Sequence, residues 1–126
     1  MVIKTDHLLI TESHLLLPII WEGDLNIHSN SPLMKQSRFG DVIMHGDTVF
    51  SLATGLVEKQ ESRYTYIYEF ETSYKRSVTI GDEIFVEYKI TRTDVNNLHF
   101  SVYKNGSELV MDGSLQFSYG NEVLKI

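Results

Sequence analysis

Apolar residues at Val49, Phe50, Leu52, Ala53, Leu56 and Val57 fall on one broad helical face with few polar side chains between them. The spacing predicts a mostly buried helix over 47–58. Beyond it the period drops to two. Tyr64, Tyr66, Tyr68 and Phe70 alternate with Thr65, Ile67 and Glu69, which predicts a strand whose tyrosine row packs as a sheet face. Residues 84–91 alternate in the same way. Leu98, Phe100 and Val102 mark a third strand, and Leu109, Met111, Leu115 and Phe117 a fourth. Asn105-Gly106 between the last two is a type I′ hairpin signal, because both central residues must accept positive φ. Gly81-Asp82 predicts a turn into the strand at residue 84.

The N-terminal third lacks such a period. Thr11 is a candidate helix N-cap, and Pro18 interrupts any helix begun at residue 12, so one or two short turns are expected. Residues 22–46 are rich in Gly, Asn, Ser and Asp and predict a long loop with one helical turn near 32–36. A long loop in a small domain is a common place for function. One buried helix followed by a run of antiparallel strands is an α+β pattern. It admits a sheet wrapped around the helix, or another α+β sheet with the helix packed on one face.

Composition narrows the class. The chain has 126 residues, of which 42% are hydrophobic and 22% charged, with two prolines and no cysteine. Residues 1–126 are accordingly expected to form a single soluble domain, long enough to bury one core. Eleven basic residues against seventeen acidic ones leave a net charge of −6, which argues against nucleic acid or an anionic membrane as the partner. The absence of cysteine removes disulfides, thiolate metal sites and thiol nucleophiles together. The apolar run Leu15–Trp21 is too short to span a bilayer and lacks the flanks of a signal peptide, so a cytoplasmic protein is expected. His7, His14 and His99 form no metal-ligand spacing, and neither a metal nor another cofactor is expected.

The candidate chemistry lies before and at the start of the predicted helix. Gly23-Asp24-Leu25-Asn26-Ile27-His28 is followed by Phe39-Gly40, Ile43 and His45-Gly46, then by Ser51-Leu52 and Gly55-Leu56. Later comes Val78-Thr79-Ile80-Gly81-Asp82. In order and spacing these segments resemble the MaoC-like dehydratases and (R)-specific enoyl-CoA hydratases, over roughly residues 10–118. That family shows a G-D-x-N-P-x-H loop, an F-G-x-x-I-x-H-G segment, an S-L-x-x-G-L helix and a P-V-x-x-G-D turn. Here the loop lacks its proline, leaving four steps rather than five between Asp24 and His28, and Ser77 replaces the proline of the turn.

The resemblance implies a hotdog fold, an antiparallel sheet wrapped around one long buried helix. It also implies a homodimer acting on an acyl-CoA or acyl-carrier-protein thioester of fatty acid metabolism. Hydration of an enoyl thioester needs a base to activate water, an acid to protonate the α-carbon, and donors for the enolate-like oxygen. The resemblance assigns the first two tasks to Asp24 and His28, and the third to the backbone N–H of Gly46 at the helix N-terminus. Asn26, His45 and Ser51 are the candidate substrate-binding residues around them. Each has a plainer role open to it: Asp24 and Asn26 as turn formers, His45 as a loop brace, Ser51 bonded to the helix backbone or orienting Asp24. Lys35, Arg38, Lys75 and Arg76 are candidate partners for coenzyme A phosphates. A hotdog thioesterase and a catalytically silent acyl-binding subunit are the two alternative readings.

Overall fold

The computed structural model describes residues 1–16, 44, 46–61 and 65–119. Along the chain come β1 (Ile3–Lys4), β2 (Leu8–Leu9), α1 (Glu12–Leu16), α2 (Gly46–Glu61), β3 (Thr65–Tyr74), β4 (Glu83–Arg92), β5 (Asn96–Lys104) and β6 (Glu108–Tyr119). The strands form one antiparallel sheet in the order β1-β4-β5-β6-β3, with β2 also paired to β4. The helical period therefore runs slightly further than 47–58, to Gly46 and Glu61. The three later strands stand where the alternation put them.

Period two sorts the side chains of the sheet onto two faces. Ile84, Val86 and Tyr88 of β4, Leu98, Phe100 and Val102 of β5, and Met111, Leu115 and Phe117 of β6 are buried in one core. Val49, Ala53 and Val57 of α2 join them. The opposite face carries exposed Lys89 and His99, and Phe85 there is buried beneath His7, stacked at 4.6 Å. A sheet greasy on one side only needs a single covering helix, and α2 supplies it.

The turns follow their residue chemistry. Asn105 and Gly106 both take positive φ, 53° and 94°, as the hairpin signal requires, and the strands close on Lys104 opposite Glu108, so Ser107 also belongs to the connection. Gly81 has φ 94°, and the Asp82 carboxylate accepts from the Thr79 N–H at 3.0 Å and from the Asn105 amide at 3.0 Å. Thr11 precedes α1 as expected of a cap, with the His14 ring accepting its N–H at 2.9 Å.

Two expectations need correction. β1 and β2 have no counterpart in the periodic reading, because two-residue strands are too short to alternate. They are joined through buried Thr5, whose N–H donates to the Val86 carbonyl while its hydroxyl accepts from the Val86 N–H, both at 2.9 Å. The tyrosine row is not a packed face. A bulge between Ile67 and Glu69 shifts the register of β3 against β6, and Tyr66 and Tyr68 are both about half exposed. The helical turn expected near 32–36 lies outside the described residues. No helix among the described residues is long and apolar enough to cross a membrane.

Candidate functional site

The N-terminus of α2 is the part of the expected site that the structure describes. The first-turn N–H groups of a helix have no intrahelical acceptor, and the macrodipole places partial positive charge there. Three contacts hold this end. The N–H of buried Met44 donates to the Val78 carbonyl at 2.7 Å. The Tyr74 ring of β3 lies against Gly46, and its hydroxyl donates to the Asp47 carboxylate at 3.4 Å. A Cβ on residue 46 would stand 2.7 Å from Cε1 of Tyr74, closer than side chains approach, so glycine is what allows the ring and the helix end to meet.

Gly46 is the first residue of α2. Ser51 is exposed one turn further on, and its carbonyl accepts the Thr54 hydroxyl at 3.0 Å. Asp24, Asn26, His28 and His45 lie outside the described residues, as do Lys35 and Arg38. Lys75 and Arg76 are exposed beside Tyr74, and Arg76 donates to the Leu109 carbonyl at 2.9 Å. Among the described residues no group of three or more His, Asp or Glu side chains could hold a metal ion.

Tyr74 is the residue that sequence reasoning missed. The alternation of β3 continues through Thr72 to Tyr74 on the face of Phe70, which is the signal that could have found it. A second feature was not foreseen at all. Between the C-terminal half of α2 and the sheet lies an apolar cavity open on one side. Ala53, Val57, Ile67, Leu98, Phe100 and Phe117 are among the side chains that line it. Glu58 and Glu61 of α2 also border it, and the Glu61 carboxylate accepts a hydrogen bond from the Tyr88 hydroxyl. Burial, then the adjoining carboxylate, pushes the Tyr88 phenol well above its ordinary range.

Comparison with known structures places this arrangement. The chain superposes on an (R)-hydratase from A. caviae involved in PHA biosynthesis with TM-score 0.80 and 21% identity, covering 94% of this chain and 93% of that one. For the R-hydratase PhaJ1 of Pseudomonas aeruginosa the TM-score is 0.82 at 19% identity, covering 94% and 79%. For the HadBC 3R-hydroxyacyl-ACP dehydratase complex of Mycobacterium tuberculosis it is 0.77 at 12%, covering 94% and 95%. At such identities the likeness establishes the fold, which is the hotdog fold expected from the motifs. No curated protein matches the sequence. The model of the MaoC like domain, by contrast, matches residues 6–109, most of the chain, and on that match the protein belongs to the MaoC-like domain family.

Proposed function

We propose that this protein is a hydro-lyase that adds water to, or removes it from, an enoyl thioester of coenzyme A or acyl-carrier protein. The observation that carries the reading is the family match over residues 6–109, which spans the Asp24–His28 loop and the Gly46 helix start together. In hydration Asp24 takes the proton of the attacking water, His28 protonates the α-carbon, and the Gly46 N–H steadies the charge on the thioester oxygen. In dehydration the two proton transfers reverse. Asn26, His45 and Ser51 contribute to holding the substrate, and Lys75 and Arg76, exposed beside the helix start, suit the phosphates of its carrier. The compartment that fits such a substrate is the cytoplasm.

The working form in this reading is a homodimer joined along β3. That strand pairs with β6 on one side, and among the described residues nothing pairs its other edge. Tyr66, Tyr68, Phe70 and Tyr74 are all exposed along it, Phe70 to 56%. A ten-residue open edge bearing four large aromatic side chains is a surface that soluble proteins cover. Covering it with a second copy brings the boundary to Tyr74, and so to the helix start. Light scattering at micromolar concentration should give twice the 14.5 kDa chain mass, and a monomer would contradict the dimer.

A thioesterase built on the same fold would send its activated water to the carbonyl carbon instead. One substrate separates the reactions. On a trans-2-enoyl thioester, loss of the conjugated double bond without free thiol supports the hydratase. Thiol release with the double bond retained supports the thioesterase, and binding with neither supports a silent subunit.

A further inference from the structure

We propose that Lys104, paired with Asp82, is a positioning residue for the reaction, holding the turn over 77–82 so that Gly46 is presented at a fixed place; this rests on the hydratase reading above. The connection from β3 to β4 makes the demand. β5 and β6 stand between those two strands in the sheet, so residues 75–82 must cross the ends of both. Single contacts hold the crossing. The Lys75 and Arg76 N–H groups donate to the Val110 carbonyl of β6 at 2.7 and 3.1 Å. From β5, Lys104 donates its Nζ to the Ser77 carbonyl at 2.8 Å. The same ammonium stands 3.7 Å from the Asp82 carboxylate, with only 16% and 14% of the two side chains exposed, and 3.8 Å from the more exposed Glu108. Asp82 in turn accepts the Thr79 N–H at 3.0 Å. Lys104 therefore grips both ends of the turn.

The grip reaches the helix start in two steps. Only the φ and ψ of buried Val78 separate the Ser77 carbonyl from the Val78 carbonyl, so fixing the first limits where the second can point. The Val78 carbonyl accepts the N–H of Met44 at 2.7 Å. Met44 stands two residues ahead of Gly46, a length of chain that spans at most about 7 Å, so a displaced turn is felt at the start of α2. Loss of the lysine leaves the Asp82 carboxylate without its cation and the Ser77 carbonyl without its donor, both in a largely buried place. Lys104 acts through the turn and Met44, not on the substrate.

The test compares Lys104→Met with Arg92→Met, which removes a cation at the far end of β4 that donates to the Tyr119 hydroxyl at 2.6 Å. Amide hydrogen exchange and hydration of a trans-2-enoyl-CoA are measured at a temperature where each variant is fully folded. Lys104→Met should lower exchange protection at the Met44 amide at least about tenfold, whereas Arg92→Met leaves it as in wild type. In Lys104→Met, kcat should fall about tenfold or more with KM within about twofold, because the interaction disturbed is one made in the transition state. Unchanged protection at Met44, an equal loss in Arg92→Met, or a wild-type kcat despite lost protection overturns the inference while leaving the reaction standing. If the native protein hydrates no enoyl thioester, the reaction reading fails, and protection at Met44 alone decides whether Lys104 holds the helix start. Should Lys104→Met not fold, Asp82→Asn is measured in its place, since it removes the partner charge and keeps an oxygen for the Thr79 N–H. Protection at Met44 should then fall again, and an unchanged Met44 amide overturns the inference.

Discussion

The two ends of α2 are built on opposite terms. At the N-terminal end the packing is tight enough that one added methyl would meet the Tyr74 ring at 2.7 Å. Along the C-terminal half an open apolar cleft lies between the same helix and the sheet. Interiors are normally close-packed, and a void lined by Ala53 and Val57 forfeits contacts that larger side chains would make. One helix thus carries a close-packed end and an open one.

The severest way to break the tight end is from beneath. β6 crosses β3 at Gly113, where a Cβ would lie 2.1 Å from the Glu71 carbonyl oxygen, a clash of backbone with backbone that no rotamer relieves. Gly113→Ala should destabilise by about 3 kcal/mol or more, measured by urea denaturation, because β3 must shift and take Tyr74 with it. Gly46→Ala comes next. Its methyl meets an aromatic ring that can swing outward, so stability should fall by about 1 to 2 kcal/mol while displacement of the helix start lowers turnover about a hundredfold. Gly46→Ala with Tyr74→Ala removes the clash and keeps the N–H. Recovery of activity in this double variant would assign the loss to the contact rather than to the glycine itself.

At the loose end the effects should be smaller. Tyr88 keeps its proton in the folded protein to higher pH than in the unfolded chain, so its contribution is complete below the ordinary phenol value near about 10 and declines as pH rises above it. Tyr88→Phe should cost about 1 kcal/mol at neutral pH and flatten the fall of thermal stability on the alkaline side. The smallest change is expected of Ala53→Leu. Three added carbons border an open cleft, so stability should move by less than about 1 kcal/mol, in contrast to one carbon added at Gly46.

How far the sequence foretold this molecule depends on the range of the interaction. α2 and the strands β4, β5 and β6 repeat their apolar positions over nine or more residues, and the repeat survives folding because one face of each is buried. In β3 the alternation was read correctly as strand but not as to face, since the bulge after Ile67 is fixed by pairing with β6. The place of Gly46 at the helix start was legible through its motif. Tyr74 could be read as a strand position but not as the partner of Gly46, because that contact spans 28 positions of chain and meets a residue with no side chain. The cavity could not be read either. It is a shortage of volume between Ala53, Leu98 and Phe117, and no one of these residues signals it alone.

The central claim of the proposed function is that Asp24 and His28 act as base and acid. It is tested most directly by the initial rate of hydration of a trans-2-enoyl-CoA in wild type, Asp24→Asn and His28→Ala, each shown to be folded. Loss of a positioned general acid or base costs about a hundredfold or more, so both variants should fall by at least that factor in kcat. Wild-type rates in both, on a substrate that the native protein hydrates, would contradict the account.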